Sequence, residues 1–424
     1  MPSPPSPAPP PAMAEDSDGS RFLAPLRLRG FRHLAVGQLV SSCGNAMYKV
    51  AHTWLLAGVT HGNGTRVGLL AVFQLAPLLL FSGYGGWIAD RFPRRRTLLV
   101  TQTTQAALCA VLAVLSFAGS ARLWEIYLLA LCAGTVTVVD NPARQRFLTD
   151  LVGETRLSRA LGLYTALLNI GQILGPLAAG LIIGWAQVGW IFVADATSFL
   201  VVAGVVLAIP DPGGATGAGE RFSGLLPGLR AVAADPALAL TVAASAVVGS
   251  VGVQFTVTNT LMAVRVFHLT AASFALLPTA VTVGCLFGAL LAGRRDPGPR
   301  TVLAAAAATG LTGAVSGLAP SYPGFALSLV VAGAAAMYFT TSAAVLLQMR
   351  SAAELRGRVL AVQNTALYGS GPVGAVLVGA ATGPLGPRAT LVSAGLLTVA
   401  LCVAIATLAG RTSRKAQTGQ PRPA

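Results

Sequence analysis

Gly85-Gly86-Trp87-Ile88-Ala89-Asp90-Arg91-Phe92-Pro93-Arg94-Arg95-Arg96 closes one long apolar run and opens the next. Four arginines and one acid are crowded into a turn too short to be a domain. With apolar segments on both sides, the turn reads as a hairpin between two membrane-spanning helices. Its charge puts it on the cytoplasmic side, because basic residues resist translocation. The composition around it agrees. Hydrophobic residues make up 54% of the chain and charged residues 10%, against roughly 25% charged in a soluble domain. Mean hydropathy is +0.69. The chain reads as an all-α, polytopic membrane protein.

The formal charge of +15 does not indicate nucleic acid, since the basic residues lie between apolar runs and not on one face. Runs of about 20 residues, enough to cross a bilayer, are expected at 34–58, 67–86, 97–118, 126–143, 160–184, 188–209, 237–263, 272–292, 301–319, 324–346, 359–382 and 389–410. Twelve spans put both termini on one side. Charge tests that count, because the segments assigned to the cytoplasm hold 24 of the 29 basic residues. The opposite loops hold Arg66, Arg122, Arg265 and Arg388, and Lys49 lies inside a span. Asn63-Gly64-Thr65, in an outer loop, reads as a turn.

The chain divides into a proline-rich, disordered tail (1–25), a six-helix bundle (26–210), a glycine-rich cytoplasmic linker (211–235), a second six-helix bundle (236–410) and a cytoplasmic tail (411–424). Met13 offers a second start, and no secretory signal is read in the tail. The bundles echo each other. Arg96-Thr97-Leu98-Leu99 recurs as Arg300-Thr301-Val302-Leu303, and Gly175-Pro176 recurs as Gly371-Pro372. Similar offsets at two places favour an internal duplication.

The hairpin resembles the loop signature Gly-x-x-x-Asp-Arg-x-Gly-Arg-Arg of the major facilitator superfamily. Gly86, Asp90, Arg91, Arg94 and Arg95 fall on its positions, and Pro93 replaces its second glycine. The resemblance implies twelve transmembrane helices in two six-helix pseudo-repeats. Asp140 to Val152, Gly37-Gln38-Leu39-Val40-Ser41-Ser42 and Leu355-Arg356-Gly357-Arg358-Val359 are similar to the enterobactin-exporter and macrolide-efflux branch. That branch implies a bacterial plasma membrane and export of siderophores, macrolides or other amphiphiles. Gly171-Gln172-Ile173-Leu174-Gly175-Pro176-Leu177-Ala178-Ala179-Gly180 resembles the antiporter signature of helix 5, with Ala179 replacing one glycine. Physically, Gly171 and Gly175 admit a neighbouring backbone and Pro176 bends the helix; the competing reading is ordinary helix packing with a proline kink.

The resemblance also implies a latch. The acid matching Asp90 meets the start of helix 11, and Arg94 meets an acid at the end of helix 4, the place of Asp140. Gly86, Asp90, Arg91, Arg94, Arg95 and Asp140 would then hold the halves together on the cytoplasmic side. The competing reading is that these charges only set topology. The second half has Arg294-Arg295-Asp296-Pro297 instead, without an acid at the matching position.

Helix 1 carries Gln38, Asn45, Lys49 and His52 on one face. Lys49 lies roughly 15 Å from the outer end, where a cation needs water, a partner or an anionic ligand. Asp195, in helix 6, is the one acid well inside a span and lies at similar depth. It reads either as an ion-pair partner of Lys49 with a role in proton coupling, or as a structural hydrogen-bonding group. His52 admits structural and functional readings alike. The branch pattern has an acid where this chain has Asn45, which argues against proton coupling through helix 1.

A substrate cavity is expected between the halves. Candidate lining residues are Gln254, Thr256, Thr258 and Asn259 in helix 7, Tyr338, Thr340 and Thr341 in helix 10, and Gln363, Asn364 and Tyr368 in helix 11. Uncharged hydrogen-bonding groups suit a large amphiphile better than a small fixed anion, although many of these groups join helix to helix in other membrane proteins.

The five cysteines lie in apolar runs, without disulfide or metal spacing. No cofactor, metal or enzymatic constellation is read from the sequence. The expected partners are a small-molecule substrate, protons and the bilayer, with no nucleic acid, and the chain is expected to act as a monomer. The leading expectation is a proton-coupled drug or siderophore efflux antiporter, with an uptake symporter and a non-transporting receptor as alternatives.

Overall fold

The computed structural model describes Leu26 and residues 28–209, 226–294 and 296–418. For 82–87, 89, 90, 154–156, 158, 353 and the positions after 408 it describes the backbone alone. The tail 1–25, most of the linker and Arg295 lie outside the described residues.

The first half contains α1 (Arg29–Val59), α2 (Gly64–Arg91), α3 (Arg94–Phe117), α4 (Leu123–Val152), α5 (Glu154–Trp185) and α6 (Gly189–Ala208). A short helix, Leu226–Ala234, occupies the end of the segment read as a linker, and Gly228 packs against the Arg358 backbone. The second half contains α7 (Pro236–Val266, interrupted near Val253), α8 (Ala271–Ala292), α9 (Pro299–Gly317), α10 (Tyr322–Arg350), α11 (356–385, broken at Ser370) and α12 (387–418). Gly386, at φ 78°, separates α11 from α12 in the left-handed region that favours glycine. Several helices begin at side-chain caps. The Asn63 carbonyl oxygen accepts from the Arg66 amide, and the Asp235 carboxylate accepts from that of Ala237.

Nine helices among the described residues are long and apolar enough to cross a membrane, and one of these, Arg356–Leu408, contains two passes. α1, made polar by its interior stripe, and the alanine- and glycine-rich α9 complete the twelve. The two halves pair their helices alike. α1 packs on α5, α2 on α4 and α3 on α6, as α7 packs on α11, α8 on α10 and α9 on α12. Glycines set several of these spacings: Gly284 and Gly288 of α8 face the Val330 and Ala334 carbonyls of α10, too close for any side chain. Large apolar side chains such as Val114 of α3, Leu207 of α6, Leu311 of α9 and Val403 of α12 are exposed, as lipid-facing helices require.

One expectation is corrected. The segment after 143, left between the expected spans 126–143 and 160–184, is helical as far as Val152. The helix passes through Pro142 and stops at Gly153, φ 75°. At 1.5 Å per residue α4 is about 45 Å long, against roughly 30 Å of hydrocarbon. Its last turns therefore project beyond the bilayer at the end where the arginine hairpin lies.

The halves meet at the opposite end. An apolar cluster there joins Met47, Val50 and Ala179 of the first half to Met262, Phe274 and Ala275 of the second. Trp54 of α1 lies against Phe274 of α8, ring centroids 5.3 Å apart. Backbones touch as well. Gly64 and Gly68 of α2 sit on Gly379 and Ala375 of α11, and Gly180 of α5 on Ala272 and Ala275 of α8. The apolar clusters nearer the hairpin each belong to one half: Phe31, Phe147 and Val206 in the first, Val232, Leu347 and Val359 in the second.

Candidate functional site

At the hairpin, Arg94 forms an ion pair with Asp150, and the Arg95 guanidinium donates to the Leu207 carbonyl of α6. Arg94 therefore does not meet Asp140, contrary to the expected pairing. The antiparallel register of α3 and α4 is the reason. Gln105 donates to Thr137, Thr101 and Gln102 donate to Asp140 at 2.7 and 2.8 Å, and the same register carries Arg94 to Asp150. Gly86 and Asp90 lie on the last turns of α2, where their contacts fall outside the described residues. Arg91 is solvent-exposed at the end of that helix.

Asp140 instead centres a buried network. Its carboxylate pairs with Arg144 one turn on, and Arg144 donates to the Gln38 carbonyl oxygen of α1 at 2.5 Å. The Tyr164 hydroxyl of α5 also hydrogen-bonds Arg144. Helices α1, α3, α4 and α5 are thereby tied by one charge pair and its neutral partners. Sequence reasoning singled out Gln38 and Asp140 but missed Arg144, Gln102 and Tyr164. The available signal was the i, i+4 spacing of Asp140 and Arg144, which matters only once the segment is recognised as helix.

Above this network the stripe of α1 continues. Asn45 is half-buried, Lys49 is solvent-accessible, and His52 is fully buried with its Nδ1 3.5 Å from the Gln74 amide of α2. Asp195, 1% exposed, does not pair with Lys49. It is held by the Cys109 thiol at 3.4 Å and the Ser198 hydroxyl at 3.2 Å, and it packs against Gly44. Gly44 and Lys49 are five residues apart, about 140° around the helix, so the acid and the lysine are at similar depth on different sides of α1.

The expected lining residues divide. Asn364 and Tyr368 of α11 and Thr256 of α7 are exposed, and Tyr338 is half-buried. Asn259 and Gln363 are buried. Thr258 and Thr340 donate to carbonyls one turn back on their own helices. Gln254 is committed to the backbone: its amide donates to the carbonyls of Gly249, Ser250 and Gly371, bridging the interruptions of α7 and α11. The helix 5 glycines also have positions. Gly171 and Gly175 receive Ser42, Cys43 and Ala46 of α1, and Gly180 faces α8 across the halves.

Residues 20–421 match the transmembrane secretion effector family. The chain belongs to that family. As a transmembrane secretion effector it has the major facilitator fold and is a secondary transporter of small molecules. It is 26% identical over 383 residues to the multidrug efflux pump Tap of Mycolicibacterium fortuitum, covering 84% of this chain and 90% of that protein. It is 28% identical over 168 residues to the staphyloferrin A transporter of Staphylococcus aureus, a match spanning 39% of this chain and 42% of the relative. In structure, this secretion effector is similar to a bacterial homologue of the human lysosomal transporter Spinster in an inward-facing, occupied conformation. The TM-score is 0.71 at 16% identity, covering 94% of this chain and 99% of that one.

Proposed function

We propose that this chain exports amphiphilic small molecules such as drugs, antibiotics or siderophores across the bacterial plasma membrane by alternating access, exchanging them for protons. The carrying observation is that the two halves close on each other at the end away from the arginine hairpin, through Gly64, Gly68, Ala375 and Gly379. The positive-inside rule makes the hairpin end cytoplasmic, with both termini on that side, so the interior faces the compartment from which an exporter loads. A lining of Asn45, Thr256, Asn364 and Tyr368 suits a ligand with several acceptors and apolar bulk. Similarity to an efflux pump along most of the chain supports the direction. The sequence likeness to the enterobactin-exporter and macrolide-efflux branch supports the substrate class.

In this reading 26–210 and 236–410 are the moving bundles, 211–235 links them, and the chain works as a monomer. Gly171, Gly175, Pro176 and Gly180 serve the antiport cycle at the α1–α5 and α5–α8 contacts. Expression in an efflux-deficient bacterium is expected to lower accumulation of toxic amphiphiles, and a protonophore is expected to abolish the effect. Persistence of export after the protonophore overturns proton coupling, and unchanged accumulation overturns export.

The hairpin is the latch of this cycle. Arg94 on Asp150 and Arg95 on Leu207 fix the start of α3 to its own bundle, leaving Asp90 to meet α11 when the cytoplasmic side shuts. Asp90→Asn is expected to leave the protein at normal abundance in the membrane while reducing export severalfold. Export at the rate of the unaltered protein removes the latch.

A further inference from the structure

Lys49 is a cation inside the span with no ion-pair partner among the described residues. It lies near the middle of α1, roughly 15 Å from Val59 at 1.5 Å per residue. The residue is exposed although it lies within the span. Its direction follows from its neighbours on the same helix. Gln38, almost directly below, reaches Arg144 of α4, and His52, one turn above, reaches Gln74 of α2. Ser42, on the other flank, packs on Gly171 of α5. The ammonium therefore projects between α2 and α4 on one side and α5 on the other, into the space that separates the halves.

Among the described residues no carboxylate lies within 4.0 Å of Lys49. The acid at its depth, Asp195, is buried on the α6 side of α1 and engaged by Cys109 and Ser198, and its charge reaches Lys49 from beyond ion-pair distance. The exposed groups of the opposite half, Thr256, Asn364 and Tyr368, carry no charge. An ammonium at this depth needs water, a partner or an anionic ligand, and a bound acid can supply the anion that no carboxylate within 4.0 Å provides.

We infer that Lys49 binds the acidic group of the transported molecule, so that the preferred substrates are amphiphiles bearing a single carboxylate. Asn45, one turn toward the hairpin, supplies an amide to the same group, and the neutral surface across the cavity takes the apolar body. The inference rests on the export reading for its biological meaning, but the binding site can be tested separately.

The probes are three dansylamino-alkyl compounds of equal length ending in a carboxylate, a primary amide and an amine. Binding to the full chain in nanodiscs is followed by dansyl fluorescence. The unaltered protein is expected to bind the carboxylate at least about tenfold more tightly than the amide, because a hydrogen bond to a charged group is stronger than one between neutral groups. Lys49→Gln is expected to erase that preference while keeping amide affinity, which shows that the variant is folded; Lys49→Arg is expected to retain most of it. Equal carboxylate affinity in the unaltered protein and Lys49→Gln, or no preference for carboxylate over amide in the unaltered protein, overturns the inference. Transport of the same probes into everted vesicles separates the two readings. Lys49-dependent binding without accumulation leaves the site standing and removes export; accumulation of amide and carboxylate alike, unaffected by Lys49→Gln, does the reverse.

Discussion

Asp140→Ala is expected to lower the midpoint of thermal unfolding by on the order of 10 °C, measured by tryptophan fluorescence on the solubilised chain. The change strands the Arg144 guanidinium inside the first bundle, and breaking a buried pair from one side costs about 3–5 kcal/mol. Gln38 and Tyr164 remain as neutral acceptors, while Thr101 and Gln102 lose the carboxylate to which they donate. The Nε of Arg144 already lacks a partner, so the remaining neighbours have little capacity to absorb the loss. Removing both charges tests the mechanism: Asp140→Ala with Arg144→Met is expected to recover much of the stability, because a buried pair is often replaceable by packed apolar groups. A midpoint unchanged by Asp140→Ala contradicts the network, and a double variant no better than the single one contradicts the stranded-charge explanation.

Gly68→Val is expected to reduce export by more than about tenfold without loss of protein from the membrane. A Cβ at Gly68 would stand 2.3 Å from the Ala375 carbonyl oxygen, a backbone atom that cannot swing aside as a side chain would. The contact belongs to the seal between the halves and not to the interior of either, so the strain falls on one conformation of the cycle. Differences of a few kcal/mol between two states are enough to invert their populations. A reporter can be placed in the seal at Val257, which is buried there with Val67, Leu261 and Ala375. In a Val257→Cys background, Gly68→Val is expected to raise labelling by an impermeant thiol reagent added from the far side. Unchanged labelling together with normal export would show that the seal tolerates the extra carbon.

Much of this architecture was legible before any coordinates. Twelve passes follow from apolar run length and the segregation of arginines, and the internal echo anticipated the like pairing of helices in the two halves. The site was legible in its residue types but not in their connections. Asp140 stood out as a charge near the membrane, yet its partner depended on α4 continuing past Pro142 and on the α3–α4 register, neither of which local composition encodes. Lys49 and Asp195 were placed at similar depth, but depth says nothing of direction around α1. Gln254 reads as a cavity residue by polarity alone. It is withdrawn from that surface because α7 and α11 are both interrupted beside it and leave carbonyls that need a donor.

The contacts of Gly64, Gly68, Gly379 and Ala375, with those of Gly180, Ala272 and Ala275, join the halves through backbone and methyl groups. These contacts contain nothing that titrates, and the charge beside them is the Arg265 guanidinium of the second half, against Gly62 of the first. Acidity therefore has no group to act on in these contacts. Whatever energises the cycle has to be sensed elsewhere in the bundles and delivered to this joint as a change of shape.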